Sequence, residues 1–287
     1  MENIDDFLSG YEFVDSEEGI HAFLDGVVEK KLKQDYTAEN LSACVSCMDY
    51  TTLKTTDTER SVREFIDSLH QKIRRVGVEP AAVCVFPNFV KSVRELLGDS
   101  PIRTASVAAG FPTAQTFPEL KLQECMMAIG SGAQEIDVVL SVGGIMEQDY
   151  VRVYEELCAI RKVCKDVVLK VILEVGELPE PDMIYKASLV AMHAGADFIK
   201  TSTGKAKVNA SPEAVVVMCT AIKDYFTKTG RKVGIKVAGG VSSAVTAIKY
   251  RTIVSMILGE EWLDTGFFRI GSSKLLDDIV NTLSTMR

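Results

Sequence analysis

The sequence predicts an α/β protein: a closed (β/α)₈ barrel of the TIM type, preceded by a short helical N-terminal extension. Two observations predict this fold. β-Rich runs alternate with amphipathic helical stretches eight times along the chain. Several of these runs, such as residues 167–174, are apolar without alternation, as in parallel strands that are covered on both faces. The length of 287 residues also suits one barrel, which takes about 250 residues, with a lead-in segment.

The first 40 residues lack strand patterns, and residues 17–33 carry apolar side chains at helical spacing. We therefore divide the chain into a helical extension, residues 1–40, and a barrel catalytic domain, residues 41–287. The extension is longer than a minimal barrel needs. We interpret it either as a cap on the bottom of the barrel or as a contact between the subunits of a homodimer.

The repeated alternation of strands and helices begins after the extension. The predicted strands cover residues 44–48, 82–86, 103–109, 135–140, 167–174, 198–202, 234–238 and 268–271. The predicted helices cover residues 60–75, 89–97, 118–131, 150–164, 181–193, 212–227, 243–258 and 273–283. An open doubly wound sheet is the alternative, and it would place a glycine-bearing ligand loop after the first strand. Residues 48–53, Met-Asp-Tyr-Thr-Thr-Leu, contain no glycine, so we predict the barrel.

The composition restricts the classes of partner. The chain has 32 Lys and Arg against 40 Asp and Glu, and its net charge of −8 disfavours general nucleic-acid binding, which requires a basic surface. The mean hydropathy is +0.12, but no apolar run approaches the ~18 residues of a membrane-spanning helix. Residues 1–6 are acidic, unlike a secretory signal, and the seven cysteines are scattered through apolar segments. We expect a cytoplasmic protein with reduced thiols and no nucleic-acid or membrane partner.

Four predicted strands carry an ionisable side chain inside an apolar run, namely Asp137, Lys170, Lys200 and Lys236. A buried Asp or Lys is rare unless it is paired or functional. Any one of them alone is equally consistent with a strand-end lysine or with half of a structural ion pair. Active sites of barrels lie at the C-terminal ends of the strands, so the groups on strands four, six and seven would converge on one space. We therefore predict a site there.

Lys200 and Lys236 lie on consecutive strands, which are about 4.8 Å apart in a barrel. If both side chains point inward, like charge and desolvation lower a lysine pKa from about 10.4 toward neutrality. A shift of roughly three units corresponds to about 4 kcal/mol. A neutral lysine is the nucleophile of Schiff-base chemistry with carbonyl substrates, and Asp137 is then a candidate general acid/base, directly or through a water.

Three short glycine-bearing loops follow the last three strands. They are residues 201–205, Thr-Ser-Thr-Gly-Lys, residues 238–243, Ala-Gly-Gly-Val-Ser-Ser, and residues 271–274, Gly-Ser-Ser-Lys. Glycines allow backbone N–H groups to approach an anion, and a helix N-terminus favours negative charge. Barrels often bind phosphate after strands seven and eight, so we predict a phosphate site here, with Lys205 beside it.

No metal site is predicted. Cys44 and Cys47 have the spacing of a zinc or redox pair, but they fall in a predicted strand and lack a second pair of ligands. The three histidines, His21, His70 and His193, fall in predicted helices far apart. We therefore expect neither a metal nor another cofactor.

At these residues the chain resembles the deoxyribose-phosphate aldolases, which are class I aldolases on a (β/α)₈ barrel. The resemblance runs from about Asp49 to Leu276, and its most specific segment is residues 198–205, Phe-Ile-Lys-Thr-Ser-Thr-Gly-Lys. The other matching segments are residues 49–53, 84–87, 135–139, 169–174, 236–241 and 268–271.

The resemblance implies reversible, metal-free cleavage of 2-deoxy-D-ribose 5-phosphate to D-glyceraldehyde 3-phosphate and acetaldehyde, as in deoxyribonucleotide catabolism. It implies that Lys200 forms the Schiff base, that Lys236 tunes the pKa of Lys200 and relays protons, and that Asp137 acts in the proton relay. Asp49 and Thr51 match residues near the sugar chain, and Lys170 lies beside the catalytic group. The predicted substrate-binding set is completed, on the phosphate side, by Thr203, Gly204, Lys205, Gly239, Gly240, Gly271 and Ser273.

The chain also departs from the family pattern. Family members often carry Arg where this chain has Ser242, and a second Ser where it has Lys274, so the phosphate contacts must differ. Some members end in a Tyr on a mobile tail that assists proton transfer, whereas this chain ends Ser-Thr-Met-Arg. Two alternatives stay open: a Schiff-base aldolase or transaldolase-like enzyme for another phosphorylated sugar, and a catalytically silent phosphosugar-binding barrel.

Overall fold

A computed structural model describes residues 4–286 of the chain and shows a closed barrel of eight parallel strands. Each strand pairs with the next along the chain, and the last strand pairs with the first. The strands are β1 (Met48–Thr51), β2 (Ala82–Val85), β3 (Arg103–Ala108), β4 (Glu135–Val139), β5 (Val168–Ile172), β6 (Phe198–Lys200), β7 (Gly234–Ala238) and β8 (Phe268–Ser272). Nearly all of their residues are buried, as expected of strands covered on both faces. The predicted fold class is confirmed.

Helices connect the strands and surround the barrel. Before β1 lie α1 (Ile4–Ser9), α2 (Glu17–Phe23), α3 (Glu29–Asp35) and α4 (Ala38–Ser46). A π-helical turn, Leu24–Val28, joins α2 to α3, so the predicted helix at 17–33 is continuous. The later helices are α5 (Glu59–Val76), α6 (Val90–Leu97), α7 (Pro118–Gly130), α8 (Val142–Met146), α9 (Tyr150–Val163), α10 (Pro181–His193), α11 (Pro212–Thr229), α12 (Ala244–Leu258) and α13 (Leu275–Thr285). None of the helices between residues 4 and 286 is long and apolar enough to cross a membrane.

The first strand begins later than the sequence predicted. Residues 44–46 belong to α4, and β1 starts only at Met48, so the predicted strand at 44–48 is wrong. Thr37 caps this helix by accepting a hydrogen bond from the Asn40 backbone N–H. Leu41, Cys44 and Val45 are its buried side chains, at the spacing that places them on one helix face. The short apolar run therefore packs as a helix although its residue types also suit a strand.

Cys44 and Cys47 consequently lie at the end of a helix and not in a strand. Burial raises the pKa of the Cys44 thiol to about 12 and that of Cys47 to about 11. Both thiols stay protonated at neutral pH and behave as small apolar side chains.

The N-terminal helices pack against the outer helix layer of the barrel. α1 contacts α9 and α10, α2 contacts α11, and α3 contacts α12. Phe7 stacks on His193 with 3.8 Å between ring centroids, and Asp35 accepts a hydrogen bond from Thr252 at 2.8 Å. The extension is therefore integrated with the barrel helices. Its predicted role at the barrel bottom or between subunits stays a prediction, as does a domain boundary at residue 40.

Replacing Val28 by alanine is expected to lower the free energy of unfolding by about 2 kcal/mol, since two buried methyl groups are lost and a cavity remains. Val28 is 0% exposed, whereas the adjacent Val27 is 43% exposed. Val27→Ala is the matched control and should change stability by no more than about 0.5 kcal/mol. Urea denaturation measures both; equal effects would show that the extension is not packed as described.

Candidate active site

Seven charged side chains from six strands meet inside the barrel. We call them the charge cluster, and its members are Asp49, Glu135, Asp137, Lys170, Lys200, Lys236 and Arg269. Strand register explains their meeting, because Asp137 is the partner of Lys170 on the next strand, and Lys200 is the partner of Lys236. No member is more than 3% exposed. Buried charges of this kind persist only when they are paired with one another.

Asp137 lies at the centre of the predicted catalytic group. Its Oδ2 accepts hydrogen bonds from the Nζ atoms of Lys200, at 2.9 Å, and Lys236, at 2.6 Å. Its Oδ1 accepts one from Lys170 Nζ at 2.9 Å. Burial by itself would raise the pKa of Asp137, but the three lysines outweigh burial and hold that pKa well below its usual value. Asp137 is therefore a carboxylate at neutral pH, in direct contact with the Lys200 amine.

The two predicted catalytic lysines differ in protonation. Burial lowers the pKa of Lys200; Asp137 opposes this effect and the neighbouring Lys236 ammonium reinforces it. Burial acts on Lys236 in the same direction, but Asp137 and Asp49 outweigh it and the pKa of Lys236 is raised. Lys236 stays an ammonium while Lys200 loses its proton more readily. This difference fits a nucleophile beside a fixed positive charge.

Sequence reasoning missed two members of the charge cluster, Glu135 and Arg269. The Arg269 guanidinium donates hydrogen bonds to both Glu135 oxygens, at 2.9 and 3.0 Å, and to Asp49 Oδ1 at 2.7 Å. One signal was available: Glu135 stands two residues before Asp137, so both point to the same side of a strand. Arg269 is likewise a charge inside an apolar strand.

A cavity of about 420 Å³ opens above the charge cluster, beside the C-terminal ends of β1, β6, β7 and β8. It is lined by Thr51, Thr52, Leu53, Lys54, Lys200, Thr203, Gly204, Lys205, Ala238, Gly239, Gly240, Val241, Ser242, Gly271, Ser272, Ser273 and Lys274. Of the seven cluster members, Lys200 is the one in this lining. The cavity therefore joins a buried amine of lowered pKa to the three predicted glycine-bearing loops.

The structure divides the predicted site residues into two layers. The upper layer lines the cavity and consists of Thr51, Lys200, Thr203, Gly204, Lys205, Gly239, Gly240, Gly271 and Ser273. The lower layer lies beneath it and consists of Asp49, Asp137, Lys170 and Lys236. Asp49 and Lys170 are fully buried and make ionic contacts with other cluster members, so the substrate contact predicted for them stays a prediction.

The glycine-bearing loops have conformations that suit an anion. Gly239 and Gly240 have φ of 90° and 83°, which side chains rarely adopt, and Ser243 caps the N-terminus of α12 just beyond them. A Cβ on Gly271 would lie 2.9 Å from the Ala238 Cβ and 3.1 Å from the Lys236 Cε. These glycines bring backbone close to the cavity and leave room for Lys236 beneath it.

The third glycine-bearing loop, residues 201–205 after β6, is fixed by hydrogen bonds to Glu174 and to Leu53. Glu174 accepts hydrogen bonds from the Thr203 backbone N–H, at 3.1 Å, and from its hydroxyl, at 2.5 Å. Lys205 Nζ donates to the Leu53 carbonyl across the cavity. Ser242 and Lys274, the two departures from the family pattern, both line the cavity, so the lost and the gained cation belong to one site.

Within residues 4–286, no group of three or more His, Cys, Asp and Glu side chains is arranged to hold a metal ion. The carboxylates of the charge cluster instead form ion pairs with lysine and arginine side chains.

A closed barrel with a buried lysine of lowered pKa that contacts a carboxylate and lines a glycine-bearing cavity has the groups that a lysine-dependent aldolase requires. The chain belongs to the DeoC/LacD family of aldolases, whose family model matches residues 43–259. It is 40% identical to the deoxyribose-phosphate aldolase of Bos taurus over 264 residues, 87% of this chain and 82% of that protein. It is 41% identical to the enzyme of the same name from Mus musculus over the same shares of both chains.

The fold has solved counterparts. The structure described as a unique tetrameric deoxyribose phosphate aldolase from Aeropyrum pernix superposes with a TM-score of 0.70 at 24% identity. The match covers 95% of this chain and 100% of that one. At this identity the likeness shows the barrel fold alone.

Proposed function

We propose that this chain is a deoxyribose-phosphate aldolase that cleaves 2-deoxy-D-ribose 5-phosphate reversibly to D-glyceraldehyde 3-phosphate and acetaldehyde. The observation that carries the proposal is the single cavity that holds the Lys200 amine at its floor and Lys205, Lys274 and the glycine-bearing loops around it. Family membership and the names of the relatives support the same substrate.

The reaction begins with the open-chain sugar. The neutral Lys200 amine attacks the C1 aldehyde, and loss of water from the resulting carbinolamine yields a protonated imine. The hydroxyl must leave as water, so it needs a proton, and the Lys236–Asp137 pair next to Nζ can supply one directly or through a water. The Asp137 carboxylate, whose Oδ2 lies 2.9 Å from Lys200 Nζ, then stabilises the positive charge of the imine.

Cleavage of the C2–C3 bond follows from imine formation. A base removes the C3 hydroxyl proton, the C2–C3 bond breaks, and its electron pair neutralises the imine as an enamine. Glyceraldehyde 3-phosphate leaves, C2 of the enamine takes up a proton, and water hydrolyses the new imine to release acetaldehyde. The imine serves as the electron sink of this sequence, so the proposed mechanism requires neither a metal nor another cofactor.

The phosphate group is proposed to bind among the loops after β6, β7 and β8. Backbone N–H groups at the glycines and the ammonium groups of Lys205 and Lys274 are the matching donors. Lys274 offsets the absence of a cation at Ser242. The upper-layer residues would thus hold the phosphorylated end while Lys200 reacts with the aldehyde end.

Lys205→Met is expected to raise KM for the phosphorylated sugar about 10- to 100-fold, the usual effect of losing a hydrogen bond to a charged group. KM for unphosphorylated 2-deoxyribose should not change, because that sugar lacks the partner of Lys205. Lys207→Met is the matched control, since Lys207 is exposed and outside the cavity lining. Equal losses with both sugars would place Lys205 away from the phosphate.

We also propose a cytoplasmic enzyme that acts on phosphorylated sugars and aldehydes and assembles with copies of itself, in the simplest case as a homodimer. All seven cysteines are free, which suits a reducing compartment. The tetramer named for the Aeropyrum pernix structure supports self-association. Light scattering at several concentrations measures the assembly; a monomer at all of them would contradict it.

The substrate is tested by measuring glyceraldehyde 3-phosphate release, the product common to both sugars, from 2-deoxyribose 5-phosphate and from ribose 5-phosphate; the two-carbon products are acetaldehyde and glycolaldehyde, respectively. The 2-deoxy sugar should be cleaved much faster, because its two-carbon fragment carries no hydroxyl at C2. Preference for a 2-hydroxylated sugar would favour an aldolase or transaldolase-like enzyme of different specificity. Binding without any borohydride-trapped imine would identify a catalytically silent phosphosugar-binding barrel.

A further inference from the structure

The charge cluster contains more basic groups than carboxylates. Its bases are Lys170, Lys200, Lys236 and Arg269, and its three acids are Asp49, Glu135 and Asp137. None of these side chains is more than 4% exposed, so solvent does little to compensate an extra charge. A cluster with one neutral base is balanced, whereas a fully ionised cluster carries a net buried positive charge.

The carboxylates are shared unequally among the four bases. Lys170 lies within 3.3 Å of all three, and Lys236 and Arg269 each contact two. Lys200 contacts a single carboxylate oxygen, Asp137 Oδ2, at 2.9 Å. Lys236 binds that same oxygen at 2.6 Å. Among the four bases, Lys200 therefore has the weakest electrostatic support for a positive charge.

We propose that Arg269 and Glu135 are positioning residues that make Lys200 the neutral base of the cluster. Arg269 donates hydrogen bonds to Asp49 Oδ1 and to both oxygens of Glu135. The guanidinium is further anchored by a hydrogen bond from its Nε to the Thr265 carbonyl at 2.6 Å. This inference rests on the proposed function in one respect, namely that Lys200 is the nucleophile.

The same two carboxylates also contact the other two lysines, and Glu135 Oε2 is shared between Arg269 and Lys170. Glu135 Oε2 lies 2.6 Å from Lys170 Nζ, and Asp49 Oδ2 accepts from Lys236. Arg269, Lys170 and Lys236 together balance the three carboxylates and leave no unshared negative charge for Lys200. The half-exposed Arg103, outside the charge cluster, adds a further cation 3.6 Å from Glu135 Oε1. Arg269 and Glu135 thus act on Lys200 through the groups between them.

The pKa directions agree with this charge balance. Burial lowers the pKa of Lys200, whereas carboxylates outweigh burial and raise the pKa values of Lys170 and Lys236. The groups that face Lys200 are Asp137 on β4, Lys236 on β7 and the Cys84 thiol on β2, with Lys170 on β5 sharing Asp137. Burial raises the pKa of Cys84 to about 11, so this thiol adds no charge at neutral pH.

The test measures the protonation midpoint of Lys200 without relying on turnover. Cyanate carbamylates only neutral amines, so its rate at Lys200, followed by peptide mass spectrometry against pH, reports this midpoint. Arg269→Gln removes a cation, so Lys200 should keep its proton to higher pH, by about one unit. Arg269→Lys retains the charge and should restore the midpoint of the unmodified protein. An unshifted midpoint in folded Arg269→Gln would overturn the proposal.

Two further variants keep the test decisive if Arg269→Gln fails to fold. Glu135→Gln removes an anion, and the Lys200 midpoint should then fall, by about one unit. The double variant Glu135→Gln/Arg269→Gln removes one charge of each sign and should return the midpoint close to that of the unmodified protein. A midpoint that rises in Glu135→Gln, or a double variant shifted as far as a single one, would contradict a role in charge balance.

The same variants distinguish a failure of this inference from a failure of the proposed function. The acidic limb of the kcat/KM profile for 2-deoxyribose 5-phosphate should move with the cyanate midpoint in each variant. If the unmodified protein does not cleave this sugar, the proposed function fails, and the cyanate midpoints still decide the charge-balance inference. If cleavage occurs and the midpoints do not move, the inference alone fails.

Discussion

Lys200→Met is expected to lower kcat/KM for 2-deoxyribose 5-phosphate by at least about 10⁴-fold, since loss of a covalent nucleophile leaves only the contribution of the surrounding site. Lys200 is the member of the charge cluster that lines the cavity, and its Nζ contacts the Asp137 carboxylate. No other cluster lysine reaches this cavity lining, so none can replace it.

The measurement is borohydride reduction in the presence of acetaldehyde, followed by peptide mass spectrometry. The unmodified protein should carry one two-carbon adduct, on Lys200, while Lys205 and Lys236 of the same sample stay unmodified and serve as internal controls. Lys200→Met should carry no adduct. An unmodified Lys200 under turnover conditions, or an adduct on another lysine, would refute the assignment of the nucleophile.

Lys236→Leu is expected to lower kcat/KM at pH 7 by about 10²- to 10³-fold. Removing the Lys236 ammonium leaves Asp137 Oδ2 to Lys200 alone, which stabilises the charged form of Lys200 and raises its pKa. The neutral fraction of the amine falls about tenfold for each unit by which its pKa exceeds the assay pH. Loss of the proton relay adds to this effect.

A pH profile distinguishes this tuning role from simple structural damage. The activity of Lys236→Leu should recover relative to the unmodified protein as the pH rises, because Lys200 then deprotonates in both. Lys121→Met is the control, since Lys121 is also a buried lysine but pairs with Glu156 at 2.8 Å on the outer helices. A constant activity ratio at every pH would argue against tuning of Lys200 by Lys236.

The predicted barrel and the observed barrel agree because the pattern that specifies it is local. Each buried strand is a short apolar run, and several helices between strands begin with their own N-cap residue, as with Ser211 and Pro212 at the start of α11. The order of eight such units leaves few topologies. The error at residues 44–48 has the opposite cause, since Cys44 and Val45 suit either structure and packing against the barrel decides for the helix.

The candidate site was only partly visible in the sequence. Lys200, Lys236 and Asp137 stand out because charges are rare in buried strands, and the distances between their side chains confirm that they meet. Arg269 is likewise a charge inside an apolar strand, but its pairing with Glu135 is not visible in the sequence, because the two residues lie 134 positions apart and meet only across the closed barrel.

The amino-acid sequence by itself determined the fold class, the approximate position of seven of the eight strands, the glycine-bearing loops and four of the charged strand residues, namely Asp137, Lys170, Lys200 and Lys236, since each is encoded within a few neighbouring residues. Only the tertiary structure decided which of these groups face the cavity, which lie beneath it, and how the carboxylates are shared. The physical reason is that pKa values and ion pairing depend on burial and on distances between strands, which the closure of the barrel sets.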